Sequence, residues 1–175
     1  LTFQIGLVTM CTNTGTYIDV PFHRFADGHD LTGLALGTVA AVDAICIDRT
    51  GVREIDLADV DLDGVTGCAV LIASGHARHW GTDAYFVDHP FLTEAAAERL
   101  VAAGVACVGI DSLNIDSTAT GARPVHTVLL GSDVPIVEHL TRLDELPARG
   151  FSFTAVPPKI EGCGTFTVRA YATLG

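Results

Sequence analysis

Basic residues are scarce in this 175-residue chain: 10 Lys and Arg stand against 21 Asp and Glu, for a formal net charge of −11. No cationic cluster is available to neutralise phosphates or settle on an anionic bilayer, so neither nucleic acid nor a membrane surface is expected as a partner. The acidic excess is spread along the chain and reads as a solvated surface. Long apolar runs are also missing: none approaches the about 18 residues of a spanning helix, and no basic segment precedes an apolar one at the start. The chain opens at Leu1 rather than Met, inside what reads as a strand, so a natural segment before it is expected to be missing. Cys11, Cys46, Cys68, Cys107 and Cys163 are odd in number, widely spaced and never C-x-x-C. That excludes a disulfide framework and a thiolate zinc site as expectations, and it suits a reducing cytoplasm. There is no G-x-S-x-G elbow, phosphate-cradling loop, dinucleotide fingerprint or H-E-x-x-H, which removes the main support for serine hydrolase, nucleotide enzyme and zincin readings.

What is present is a globular composition, 49% apolar and 18% charged, long enough for one domain over residues 1–175. Residues 2–9 are mostly β-formers and predict a strand. Residues 40–48 and 69–73 are short apolar runs bounded by Asp, Gly and Ser, as buried strands are. The acidic stretch between them predicts surface loops. Thr93 as N-cap, Glu94 in the first turn and Gly104 after the last predict a helix over 93–103 leading into a strand at 105–111. Pro135 predicts the start of a second helix, to Leu143. Residues 151–156 and 165–172 alternate and predict closing strands, so the architecture is mixed α/β.

The chemically dense segment is Asn13-Thr14-Gly15-Thr16-Tyr17-Ile18-Asp19-Val20-Pro21-Phe22-His23. Glycine lets backbone approach a ligand, and proline fixes the path that aims Asp19 and His23. By itself the D-x-x-x-H pair is more commonly an ordinary hydrogen-bonded pair than a site.

The segment resembles the H-x-G-T-H-x-D-x-P-x-H signature of the cyclase-like metal-dependent hydrolases, the family of bacterial kynurenine formamidase and isatin hydrolase. Gly15, Thr16, Asp19, Pro21 and His23 are in register, and the resemblance continues downstream. It runs through Val70-Leu71-Ile72 with Gly75 and Trp80, then Val108-Gly109-Ile110-Asp111-Ser112, and then Pro124-Val125-His126. Pro135-Ile136-Val137-Glu138-His139-Leu140 is similar to a helix of pattern I-x-I-x-E-x-L, and Ala155 to Ile160 and Val168-Arg169-Ala170 also fit. The resemblance implies a swivelling β/β/α-type fold with a mixed, partly barrel-like sheet and flanking helices, a homodimer or larger assembly, and a site for one or two divalent metals, usually zinc or manganese. Carried over, Asp19, His126 and Glu138 match metal ligands and His23 the catalytic histidine. Asn13 and Tyr17 stand where the family has two further histidines, and both are poor ligands at neutral pH.

One imidazole and two carboxylates are enough for a catalytic metal with an open position. A metal-free hydrogen-bonded cluster is the other reading of the same residues. Asn13, Thr16, Tyr17, His76 and Trp80 are candidate pocket residues for a small-molecule substrate, although a solvated turn also accounts for His76 and His79. His29 and His89 read as surface residues, and Cys11 and Cys163 as buried inert thiols. His139, following Glu138 on the expected helix, should point elsewhere. The leading expectation is a hydrolase of an amide, lactam or ester in a small molecule, aromatic or not, using one divalent metal and His23. The alternatives are a metal-independent cyclase or isomerase using His23, Asp19 and Tyr17, a non-catalytic binding relative, and a structural subunit.

Overall fold

Residues 3–175 are described by a computed structural model. Its centre is the apolar run Ala69–Ala73 (β4), buried on both faces, as the strands of a covered parallel sheet are. On one side of it lies Val42–Asp48 (β2), and on the other Cys107–Ile110 (β6) and then Ile136–Glu138 (β7), all parallel. Antiparallel strands extend both flanks. Phe151–Thr154 (β8) and Tyr171–Leu174 (β10) continue beyond β2, while Tyr17–Asp19 (β1) and Thr165–Thr167 (β9) continue beyond β7. Glu54–Ile55 (β3) and Phe91–Leu92 (β5) form a separate parallel pair.

The order places β9 and β10 at opposite edges of eight strands. Laid flat, such a sheet would separate its edges by about 33 Å. Yet only three residues, 168–170, join these two strands, and that length of chain reaches no more than about 14 Å. The sheet is therefore curled into a half-barrel. Strand alternation divides the core accordingly. Val70, Ile72, Val108, Ile110 and Ile136 face the helices Glu94–Ala102 (α1) and Pro124–Gly131 (α2), while Ala69, Leu71, Ala73, Cys107 and Val137 face the hollow of the curl with Phe151 and Phe153. Gly109 is needed at the crossing point, where a Cβ would lie 2.6 Å from the Leu140 side chain and 2.8 Å from that of Leu71.

The helix expected at 93–103 is α1, capped by the Thr93 hydroxyl, which accepts from the Ala96 N–H at 3.1 Å, and followed by Gly104 at φ 71°. Three expectations fail. The helix expected from Pro135 is the strand β7 followed by a turn, because Ile136 and Val137 are clamped between β6 and β1. An apolar run this short does not distinguish a buried strand from a helix. The second helix starts instead at Pro124, also with proline in its first turn. The strand expected over 2–9 starts at Thr2, outside the described residues, and residues 3–10 form no strand; the first strand, β1, lies inside the chemically dense segment 13–23. The single closing strand expected over 165–172 is two, β9 and β10.

Candidate active site

Alternation along β1 sends Ile18 into the core and sets Tyr17 and Asp19 on one face. Pairing with β7 places Tyr17 opposite Glu138 and Asp19 opposite Ile136, so the two acidic groups are diagonal neighbours. After β1, Pro21 begins a single 3-10 turn that ends at His23, whose backbone N–H donates to the Val20 carbonyl at 2.8 Å. Gly164 lies against this turn. A Cβ there would come within 2.7 Å of His23 Cα and 2.8 Å of the Phe22 carbonyl carbon.

His126 is in the first turn of α2. The buried Asp116 carboxylate accepts from the backbone N–H groups of Val125 (2.8 Å) and His126 (3.0 Å), and from His126 Nδ1 at 2.6 Å. One residue thus caps the helix and fixes the imidazole with Nε2 turned inward, 3.7 Å from Asp19 Oδ2 and 3.8 Å from Glu138 Oε1. His23 Nδ1 approaches the other Asp19 oxygen at 3.8 Å, and its side chain is 36% exposed, enough to exchange protons with solvent. Asp19, His23 and His126 each offer an atom within 4.8 Å of the others.

The two site carboxylates are in opposite situations. Asp19 is fully buried, and neither of its oxygens has a hydrogen-bond donor. Glu138, equally buried, accepts from the Tyr17 hydroxyl on Oε2 and from the Ile115 N–H on Oε1 at 2.6 Å. Burial raises the Glu138 carboxyl to about 7 against the pull of His126 and these two donors. Burial and then the charge of Glu138 hold the Tyr17 phenol well above its ordinary range, so it stays protonated as a donor. For His126 burial disfavours charge, but the hydrogen bond to Asp116 and the nearby charges of Glu138 and Asp19 prevail and raise it to about 10 in the metal-free chain.

A buried carboxylate is costly unless a cation meets it; without a metal the protonated His126 faces Asp19 at 3.7 Å, and a metal ion would take the place of that proton. The Asp19 and His126 atoms, with Glu138 Oε1 and His23 beside them, fit one such ion. A second ion does not fit: Asn13 is exposed in a turn, and the phenol of Tyr17 is spent on Glu138.

The remaining pocket candidates meet through a residue the sequence reading dismissed. His139 does not follow Glu138 along a helix; it leaves β7 at φ 57° and swings its ring back over the site. Its carbonyl accepts from the Thr16 hydroxyl at 2.7 Å, and its Nδ1 is 2.9 Å from the Tyr85 hydroxyl. Its ring centroid lies 5.2 Å from Tyr17, 5.7 Å from Trp80 and 5.6 Å from Tyr85. Burial pushes its imidazole down to about 4, so it is neutral. His76 is buried rather than in a solvated turn, and donates to the Tyr85 carbonyl at 2.9 Å. His89 is buried as well, not on the surface, and donates to the Pro90 carbonyl at 3.1 Å. Half-buried His29 bridges to Asp133, and Cys11 is exposed rather than buried. Asp116 gave no signal in the sequence, because it caps α2 from ten residues before His126 while the ordinary cap position holds Arg123.

This fold and site have known counterparts. Residues 4–117 match the family model described as "Putative cyclase", and the chain belongs to that cyclase family. It is 31% identical to kynurenine formamidase of Bacillus cytotoxicus over 95% of this chain and 78% of that protein, and 30% identical to the Geobacillus thermodenitrificans enzyme over the same shares. Among solved structures it is similar to a potential metal-dependent hydrolase with cyclase activity (TM-score 0.79, 30% identity, 93% of this chain and 79% of that one). It is also similar to isatin hydrolase A of Ralstonia solanacearum (TM-score 0.80, 26% identity, 92% and 72%). Among the described residues no helix is long and apolar enough to cross a membrane.

Proposed function

We propose that this protein hydrolyses a C–N bond, in an amide or lactam of a small aromatic molecule, with an ester as the lesser alternative, and that it works with one divalent metal, zinc or manganese. The observation that carries the reading is Asp19, a wholly buried carboxylate with no donor on either oxygen, facing His126 Nε2 at 3.7 Å. Asp19, His126 and Glu138 Oε1 would hold the ion, with Tyr17 and Ile115 fixing Glu138 and Asp116 fixing His126. When bound, such an ion supplies polarisation of the scissile carbonyl and a water of lowered pKa.

His23 is the proton carrier in this reading. Its ring is partly open to solvent, lies beside Asp19, and has a centroid 6.0 Å from that of His126. In the hydrolysis the oxygen of water bonds to the carbonyl carbon, the C–N bond breaks, and the proton taken from water is delivered by His23 to the departing nitrogen. The kynurenine formamidase and isatin hydrolase relatives support the class of bond and the aromatic substrate. Proton chemistry by Tyr17, as a metal-independent cyclase or isomerase would need, is disfavoured because its hydroxyl is committed to Glu138.

Metal content by mass spectrometry after chelator-free purification, combined with turnover of an N-formyl arylamine, tests the reading. One equivalent of metal per chain and at least a hundredfold loss of kcat in His23→Ala are expected. A metal-free protein whose turnover is indifferent to added zinc and manganese would overturn it.

A further inference from the structure

The ring of His139 touches three aromatic side chains from two separate stretches of chain: Tyr17 on β1, and Trp80 and Tyr85 on the arc between residues 76 and 86. Trp80 stands edge-on to both Tyr85 (5.0 Å, 78°) and His139 (5.7 Å, 80°), yet 49% of its surface remains exposed. An indole held on one side by two rings and open on the other offers a flat apolar face. His139 adds polarity to it. Its Nδ1 is engaged by Tyr85, and among the described residues its Nε2 has no protein partner. The backbone is committed to this arrangement, since His139 adopts a left-handed conformation, uncommon for a residue with a side chain, and its carbonyl is pinned by Thr16. Directly before it in the chain is Glu138, so the wall begins one residue from the candidate metal-holding set.

We propose that His139 is the specificity-determining residue of this site: with Trp80 it receives the planar ring of an aryl substrate and presents Nε2 to a polar substituent on that ring. The inference rests on the hydrolase reading for the reaction but not for ring binding, which is measurable by itself. The aryl preference belongs to the proposed function; His139 is the residue that enforces it against saturated amides of the same size. Tyr85 orients the imidazole through Nδ1 and is a positioning residue.

Trp80 is the only tryptophan of the chain, so its emission reports on this wall directly. Titration of the intact, metal-loaded protein with 4-nitroformanilide, whose absorption overlaps indole emission, is expected to quench Trp80, with N-cyclohexylformamide as the saturated competitor. His139→Asn, which tolerates the left-handed backbone, should weaken binding of the aryl probe roughly tenfold and change that of the cyclohexyl compound less than twofold. Tyr85→Phe should give a smaller loss in the same direction, and both variants should keep the parent's metal content. Equal loss for both compounds, no change for the aryl probe, or no quenching in the parent would overturn the proposal. Selective quenching without turnover would leave this inference standing and remove the hydrolase reading, while turnover with no dependence on residue 139 would do the reverse.

Discussion

Three residues outside the proposed ligand set decide whether the site exists at all. The Asp116 carboxylate accepts from the first turn of α2 and from the ring that turn carries. Asp116→Asn keeps the size but loses the carboxylate that fixes the imidazole, so metal affinity should fall about 10- to 100-fold with the fold intact. A competition titration against a chromogenic chelator measures this, and an unchanged affinity would remove Asp116 from the site. Gly164 is constrained by backbone rather than by flexible side chains, so Gly164→Ala must displace the His23 turn. A loss of about 1–3 kcal/mol in urea unfolding is expected, together with reduced turnover, because the displaced turn carries the proton donor. Tyr17 has the same local character: its phenol faces Glu138 because strand register puts the two residues opposite each other.

The elements hold these residues in place through their ends. For α1, the Thr93 hydroxyl satisfies an otherwise free backbone donor, and Thr93→Ala should cost about 1 kcal/mol of unfolding free energy with no effect on the site, which lies on β1, β7 and α2. The stretch after the His23 turn is tied to the chain following α2 by His29. Its Nδ1 donates to the Asp30 carbonyl (2.9 Å) and its Nε2 to Asp133 (2.6 Å), so both nitrogens donate, and only the imidazolium can do that. Burial opposes the charge, but the hydrogen bonds to Asp30 and Asp133 raise this histidine above its ordinary 6.5. A raised folded-state value means that the tie is fully present below about pH 6.5 and is lost as pH climbs through the higher folded-state value. Asp133→Asn should therefore reduce stability at pH 6 and converge with the parent in alkaline buffer. Urea titrations at the two pH values check this, and a deficit that grows with pH would contradict it.

For the whole molecule, the pairing of β9 with β1 places Gly164 against His23, so the site shares its supports with the sheet, and metal affinity and global stability are linked. A ligand that binds only the folded chain stabilises it by about 2.7 kcal/mol at one hundred times its Kd. Zinc or manganese should accordingly raise Tm in the parent, and EDTA should reverse the rise. In Asp19→Asn the rise should vanish, while the metal-free variant should be no less stable than the metal-free parent, because the undonated buried charge is gone. Scanning calorimetry with and without metal distinguishes this from a purely structural Asp19, whose loss would lower Tm in both conditions.

Local sequence determined what local physics controls. The five-residue run of β4 is buried on both faces and Thr93 and Gly104 bracket α1, while Asp19 and His23 were picked out by the resemblance of the G-T-x-x-D-x-P-x-H segment to a family signature. Only the tertiary structure decided the rest. Residues 136–138 became a strand because β6 and β1 offered hydrogen bonds on both sides, and that choice turned His139 from an outward-facing helical residue into the centre of an aromatic wall. The Tyr17–Glu138 bond, the Asp116–His126 pair and the undonated Asp19 each join residues or environments far apart along the chain. Spacing along a sequence carries no record of such contacts; they follow from register and from the curl that brings distant strands together.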